Sequence, residues 1–171
     1  MHSVGRSNQI VSVRRADEGD LRGILACLRA AFEEYRDRYT PAGFTDTVLT
    51  PESLRERLRK MMVYVAVSTR ARVVGTLAAA IVNGGEGHLR GMAVHPDFQS
   101  SGIATKLLER ALNDLRTHAC QRVTLDTTDV LLQAMRFYEA RGFVRTGRVS
   151  DFFGMPLHEY AKLFPLDLTR S

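Results

Sequence analysis

Three small residues, Ser100, Ser101 and Gly102, stand directly before a strongly amphipathic helical pattern that begins at Ile103. Glycine inside a helix costs about 1 kcal/mol relative to alanine, so a glycine at the start of a strong helix suggests a functional role for that position. The first N–H groups of a helix have no intrahelical partners and carry the positive end of the helix dipole, so they can bind a phosphate. Small side chains let such an anion approach the backbone. An ordinary serine cap followed by a tolerated glycine is the alternative interpretation.

The predicted strand that precedes this turn has a break in its alternation. Leu89, Met92 and Val94 are apolar, so the two-residue period slips by one residue across Arg90 and Gly91. A β-bulge at that point would restore a single buried face. It would also leave backbone N–H and C=O groups free to bind something other than a neighbouring strand.

The elements that position these residues follow from apolar spacing along the whole chain. Strands are predicted at residues 10–15, 63–68, 72–82, 88–94, 122–127, 143–149 and 157–164. Helices are predicted from Asp17 to about Arg36, at 52–61 after Pro51, from Ile103 onward, and at 130–141, with Thr128 or Asp129 as cap and Gly142 as end. Pro41 and Gly43 make residues 37–50 a loop. This order predicts an α+β fold, a three-layer α/β/α-like arrangement around a mixed sheet.

The composition is that of a soluble globular domain. Of the 171 residues, 44% are hydrophobic and 25% are charged, which predicts one domain over residues 1–171 with a flexible start at residues 1–9. The first residues lack the apolar run of a secretory signal, and the longest apolar run, VVGTLAAAIV, is too short to span a bilayer. We therefore expect a cytoplasmic protein without a membrane partner.

Charge and cysteine usage limit the expected partners. The net charge of +5 is dispersed, and its densest run, RERLRK at residues 55–60, is typical of the solvated face of a short helix. No aromatic residues alternate with these charges, so we expect no nucleic-acid partner. Cys27 and Cys120 lie far apart in the sequence, which indicates buried small hydrophobes rather than a disulfide or a zinc site. His88 and His95 would face opposite sides of one strand unless the bulge realigns them, so no metal site is predicted.

Two segments resemble the GNAT N-acetyltransferase superfamily. In GHLRGMAVHPDFQSSGIATKLLERAL, the residues Gln99, Gly102 and Ala104 meet the central pattern of Gln or Arg, two residues, Gly, one residue, and Gly or Ala. Downstream, VTLDTTDVLLQAMRFYEARGFVRTG resembles the family's second motif, in which a helix carries an aromatic pair before a Gly-Phe strand entry. The resemblance covers residues 72–148 and implies a GNAT-type, mostly antiparallel sheet with a bulge in its fourth strand.

The resemblance also implies a cofactor and its binding residues. Acetyl-CoA would be the co-substrate, and no metal would be required. Its pyrophosphate would be held by backbone amides of Gln99, Ser100, Ser101, Gly102, Ile103, Ala104 and Thr105. The strand edge at Met92, Ala93 and Val94 would pair with the pantetheine arm as an added strand, and an N–H near Ala93 would steady the oxyanion during direct attack by an amine in a ternary complex.

Two side chains are candidates for proton transfer under this resemblance. Tyr138 falls where many family members use a tyrosine that touches the cofactor and protonates the departing thiolate. His88 stands where members often carry a glutamate base, and an imidazole with a pKa of about 6.5 can relay a proton. Packing alone is the alternative for both. Leu131 replaces an asparagine that often binds the cofactor, and Thr127, Thr128 or Gln133 could substitute for that contact.

The acceptor would be a primary amine of a small molecule, amino acid or peptide. In this family the acceptor pocket usually forms from the first helices and the last strands. There the chain offers the aromatic residues Tyr35, Tyr39, Phe44, Phe152 and Phe153, with the acids Glu33, Glu34, Asp37 and Asp46, which could receive a cationic amine. A solvated helix end and a loop explain the same residues. A non-catalytic acyl-CoA-binding or regulatory module, a nucleic-acid-binding module and a homodimer all remain open.

Overall fold

A seven-stranded sheet runs through residues 10–165, the part of the chain described by this computed structural model. The strands are β1 (Val11–Arg15), β2 (Met62–Ser68), β3 (Val73–Val82), β4 (Glu86–Val94), β5 (Arg122–Thr128), β6 (Val144–Phe152) and β7 (Met155–Leu163), in the order β1-β2-β3-β4-β5-β7-β6. The β4–β5 pair is parallel and the other pairs are antiparallel. The predicted mixed, mostly antiparallel sheet is confirmed. The start predicted to be flexible, residues 1–9, lies outside the described residues.

Helices cover both faces of this sheet, which confirms the predicted three layers. They are α1 (Leu21–Phe32), α2 (Pro41–Val48), α3 (Pro51–Lys60), α4 (Ile103–Thr117) and α5 (Leu132–Glu139). The first three pack in one apolar cluster with strand residues such as Val65 and Ala93. The last two pack in a second cluster with Leu89 and Leu125. Because alternate residues of a strand point to opposite faces, β4 presents side chains to both clusters, while the apolar side chains of β5 lie in the second.

The segment predicted to be a loop, residues 37–50, contains a helix. Thr40 caps α2 by accepting a hydrogen bond from the Gly43 N–H at 3.2 Å, and Pro41 occupies the first helical turn. Phe44 and Val48 are buried on its inner side. Proline and glycine suggested a break, but proline is favoured at the start of a helix, and burial of these two side chains stabilises the short helix.

The ends of two other predicted helices also differ. Asp17 caps as expected, but 3-10 turns at Glu18–Asp20 and Glu33–Arg38 flank the α-helical part of the first helix. Neither Thr128 nor Asp129 caps α5, whose cap position is Leu131 without a side-chain hydrogen bond. The Thr128 hydroxyl instead accepts from the Val130 N–H at 3.1 Å within an intervening turn. Gly142 follows the helix with a φ of 87°, as predicted for its end.

The bulge predicted in the fourth strand is present. Thr76 pairs with Ala93 while Ala78 pairs with Arg90, so β4 has an extra residue opposite β3, and Gly91 has a φ of 70°. Parallel pairing of β4 with β5 ends at Leu89, just before the bulge, although β5 continues to pair with β7. The sheet therefore opens between β4 and β5.

Two further predictions concern properties of the chain outside this opening. Cys27 and Cys120 are both buried and free, as expected of small hydrophobes. Among residues 10–165, no helix has the length and apolar character needed to cross a membrane.

Candidate active site

A cavity of about 300 Å³ occupies the opening between β4 and β5. This volume is at the lower end of the range for small-molecule sites. His88, Arg90 and Asp126 line it from the face of the sheet that α1, α2 and α3 cover. Thr127 and Tyr138 line it from the opposite face, beside α5. The cavity therefore joins the two sides of the sheet.

The start of α4 presents unpaired backbone donors. None of the N–H groups of residues 100–105 donates to another described residue, and the first intrahelical bond runs from Lys106 N–H to the Gly102 carbonyl at 3.1 Å. Gly102 has a φ of 81° and Ser100 a φ of 62°, while the Ser101 hydroxyl donates to the Phe98 carbonyl. No serine side chain caps the helix, so the alternative of an ordinary serine cap does not describe this turn. A Cβ on Gly102 would meet no atom within 4 Å.

A cation that the motif alone did not indicate lies beside this turn. The Arg141 guanidinium donates to the Thr105 hydroxyl at 2.6 Å and stacks on the Phe137 ring at 3.7 Å from its centroid. The charge adds to the positive end of the α4 dipole. Arg141 directly precedes Gly142, so its position next to the second motif was a signal that could have marked it.

The Tyr138 side chain packs in the core, and the residue also lines the cavity. The residue is 6% exposed, and its ring packs edge-on against Phe137 and Phe143 with centroids 5.3 and 5.6 Å away. Its hydroxyl makes no hydrogen bond with any residue from 10 to 165, and burial raises the pKa of this phenol above its usual value. The packing and the chemical roles are thus compatible in one residue.

His88 is paired with a carboxylate that the pattern of the sequence did not single out. Its Nδ1 lies 2.9 Å from the Thr124 hydroxyl and its Nε2 lies 3.6 Å from Asp126 Oδ2. Burial lowers the pKa of His88 and raises the pKa of Asp126, although each group partly opposes the shift of the other. A neutral imidazole beside such a carboxylate can accept a proton from an ammonium group, directly or through water.

The edge of β4 beyond Leu89 has no strand partner on its β5 side within the described chain. Met92 lines the cavity there, while Ala93 and Val94 pair with β3 on the other side. Across the opening, the Thr127 hydroxyl is buried and has no partner among the described residues. A buried unpaired hydroxyl is costly, so its position suggests that a ligand completes it.

Residues 26–143 match the Acetyltransferase (GNAT) family. The chain belongs to this family. It is 31% identical over 67 residues to N-alpha-acetyltransferase 30 of Schizosaccharomyces pombe, covering 39% of this chain and 45% of that protein. The chain therefore spans about half the length of that relative.

Solved structures of GNAT acetyltransferases have the same fold. One is an acetyltransferase of the GNAT family from Staphylococcus aureus, with a TM-score of 0.75 at 16% identity over 91% of this chain and 100% of that one. Another is the PaiA N-acetyltransferase of Thermoplasma acidophilum in complex with coenzyme A, with a TM-score of 0.75 at 16% identity over 91% and 99% of the two chains. At this identity the likeness concerns the fold.

In this GNAT chain the predicted acceptor residues separate into two groups. Tyr39 and Phe152 line the cavity, as does Asp46. Phe44 lies in the core under the Arg36 guanidinium, and Tyr35 packs beside Phe32, so neither reaches the cavity. The acids Glu33, Glu34 and Asp37 are outside its lining as well. Among residues 10–165 no group of His, Cys, Asp and Glu side chains is arranged to hold a metal ion.

Proposed function

We propose that this chain is an N-acetyltransferase that transfers the acetyl group of acetyl-CoA to a primary amine. The observation that carries the proposal is the free edge of β4 at an opening of the sheet that Tyr138 also lines. The unpaired N–H groups at the start of α4, the helix that follows β4 in the chain, support the same cofactor. Family membership supports the same reaction class.

Acetyl-CoA would lie on the side of the sheet that α4 and α5 cover. The unpaired backbone amides of residues 100–105 would hold its pyrophosphate, with Arg141 adding charge beside them, whereas the Gln99 N–H already donates to the Pro96 carbonyl at 3.5 Å. The edge at Met92, Ala93 and Val94 would bind the pantetheine arm by backbone hydrogen bonds. The Thr127 hydroxyl would supply the contact that Leu131 cannot make.

The protein groups then have separate tasks during transfer. Acetyl-CoA supplies an activated thioester when it is bound. The His88 and Asp126 pair would take the proton that the acceptor ammonium must lose before its nitrogen can form the C–N bond. A backbone N–H near Ala93 would hold the carbonyl oxygen as it gains charge. As the C–S bond breaks, the Tyr138 hydroxyl would give its proton to the sulfur, and the second proton that the nitrogen loses on becoming an amide would restore the phenol.

An α-amine suits this site better than a lysine side chain. Neutralising an amine with a pKa of about 10.4 at pH 7 costs about 4.6 kcal/mol, against about 1 kcal/mol for an α-amine near 7.8. Because burial lowers the pKa of His88, this imidazole is a weak base. The relative named N-alpha-acetyltransferase 30 supports the same acceptor class.

The test is thiol release from acetyl-CoA against a panel of amines, amino acids and peptides, with the acetylated product identified by mass spectrometry. We expect turnover with α-amines ahead of lysine-like amines. Cofactor binding without turnover across the whole panel would instead favour a non-catalytic acyl-CoA-binding module. Absence of cofactor binding would contradict both.

A further inference from the structure

Arg57 lines the cavity, and no acidic side chain of the described chain pairs with its charge. It projects from α3, and its guanidinium lies so close to the bulge that a Cβ added to Gly91 would be 2.5 Å from Arg57 Nη1. Among residues 10–165 it makes no ion pair and donates no side-chain hydrogen bond. A half-buried cation without a partner is costly, which suggests that its partner arrives with a ligand.

The other charges around Arg57 do not compensate it. Asp46, the carboxylate whose charge acts on Arg57, already pairs with Arg90 at 3.1 Å. Burial lowers the pKa of Arg57 to about 10, with the Arg90 cation lowering it and Asp46 raising it. The group is still protonated at neutral pH. This wall of the cavity therefore has two guanidinium groups, Arg57 and Arg90, and one carboxylate, Asp46. It has an excess of positive charge.

Neighbouring cations of the same helix are disposed differently. Arg55 pairs with Glu18 at 3.0 Å, Lys60 pairs with Glu56 at 2.6 Å, and Arg59 is exposed to solvent. Arg57 is on the inner side of α3 because it lies three residues after Leu54, a buried core residue. It is thus the member of this basic run that faces the cavity.

We propose that Arg57 binds a carboxylate of the acceptor, so that the acceptor is an amine with a carboxylate close to it. The inference rests on the proposed function and specifies its substrate class. The His88 and Asp126 wall would receive the amine, and the Arg57 wall would receive the anion. A free α-amino acid and a peptide whose first residue is acidic share this chemistry, and the cavity of about 300 Å³ suits either end group.

The test compares matched acceptors that differ in one negative charge. Free L-amino acids are paired with their C-terminal amides, and short peptides that begin with Asp or Glu are paired with those that begin with Asn or Gln. In the wild type we expect kcat/KM to favour the anionic member of one of these two sets by about tenfold or more, since a hydrogen bond to a charged group is worth that much. Whichever set shows the preference identifies the source of the carboxylate.

Variants of α3 assign the preference to one side chain. Arg57→Gln should abolish it by raising KM for the anionic member, with kcat and the neutral member little changed. Arg59→Gln removes the same charge from the exposed side of the helix and should keep the preference. Arg57→Lys should retain part of it, and it serves as the test if Arg57→Gln does not fold.

Two kinetic results, and one binding result if no amine is acetylated, would overturn the proposal. One is turnover in the wild type without any preference for the anionic member, which leaves the acetyltransferase function standing. The other is an equal loss of kcat on both members in Arg57→Gln, which would show that Arg57 acts on the reaction itself. If no amine is acetylated, melting of the coenzyme-A-bound protein with each matched pair gives a binding readout. Equal melting shifts for both members would then reject the carboxylate site.

Discussion

At the scale of single residues, the Tyr138 hydroxyl can be separated from the Tyr138 ring. Tyr138→Phe keeps the ring that packs on Phe137 and Phe143 and removes only the hydroxyl. We expect kcat to fall by about 10²-fold or more, since general acid catalysis contributes about 10²–10⁴-fold, while coenzyme A affinity changes little. Steady-state kinetics and calorimetry measure the two quantities.

Tyr160→Phe is the matched control for that substitution. The Tyr160 hydroxyl binds Arg145 and Glu139 at 2.9 Å each and lies outside the cavity lining. Its loss should lower the free energy of unfolding by about 1 kcal/mol and leave kcat unchanged. Unchanged kcat in Tyr138→Phe, in an assay where chemistry is rate-limiting, would return Tyr138 to a packing role.

The lowered pKa of His88 predicts how the stability of the fold changes with pH. Its pKa in the fold is lowered from the ordinary value near 6.5, so the unfolded chain binds the proton first as pH falls. Wild-type stability should therefore decrease below about pH 6.5, and His88→Gln should lose less over the same range. Burial lowers this pKa, Arg90 lowers it, and Asp126, Glu159 and Glu86 raise it.

Asp126, the carboxylate beside His88, provides a second variant that tests the direction of this pH effect. Asp126→Asn removes the charge that partly supports the imidazolium, so the pKa of His88 should fall further and the acid loss should become steeper. Denaturant titrations at several pH values measure this slope. If the free energy of unfolding falls by the same amount on acidification in the wild type and in both variants, the lowered pKa of His88 does not contribute to the pH dependence of stability.

The residues that sequence patterns missed are charged groups whose partners come from distant segments. Asp126 lies near the end of a predicted strand, and its role could not be predicted because His88, whose Nε2 lies 3.6 Å from its Oδ2, stands 38 positions earlier in the chain. Arg57 sits in a run typical of a solvated face, yet its spacing from Leu54 places it inward. The small residues of the α4 turn were recognisable because the phosphate-binding role proposed for them depends on the local backbone.

At the scale of elements, the left-handed backbone of Gly102 before α4 means that a substitution there affects stability as well as ligand binding. Gly102→Val places a branched residue at a φ of 81°, which strains the backbone by about 1–2 kcal/mol. Affinity for coenzyme A should still fall by at least about tenfold, because the side chain would fill the space left open beside the unpaired N–H groups.

Gly147→Val separates this strain from ligand binding. Gly147 has a φ of 88° and also has no atom near its missing Cβ, but it lies in β6 at the sheet edge. Both variants should lose similar stability, and only Gly102→Val should lose affinity. Equal affinities by calorimetry on folded protein would show that the turn is not a phosphate site.

The helices differ in how far their own sequence determined them. Periodic apolar residues identified α4 because its inner face alone accounts for its burial. The helix α2 was missed because Pro41 and Gly43 suggest a break, although Thr40 as cap and Pro41 in the first turn favour a helix start. The Thr40 hydroxyl also donates to the Phe153 carbonyl at 2.8 Å across the molecule. Such a contact, with a residue far along the chain, leaves no local pattern.

At the scale of the whole molecule, the opened sheet separates two binding sides. The α4 and α5 side presents unpaired donors, and the α1, α2 and α3 side presents charged side chains. Binding to the first side should therefore stabilise the folded chain without an acceptor. At a coenzyme A concentration of about a hundred times Kd, linkage adds about 2.7 kcal/mol, which corresponds to a melting shift of roughly 5–11 °C for a domain of this size.

Thermal denaturation with increasing coenzyme A measures this linkage. Comparing the melting shifts of variants shows which side of the sheet binds the cofactor. Gly102→Val should show a much smaller shift than the wild type at the same concentration, because its Kd is larger. Arg57→Gln should show the full shift, since Arg57 lies on the other side of the sheet. A full shift in Gly102→Val would place the cofactor elsewhere, and a lost shift in Arg57→Gln would mean that the two sides of the sheet do not bind independently.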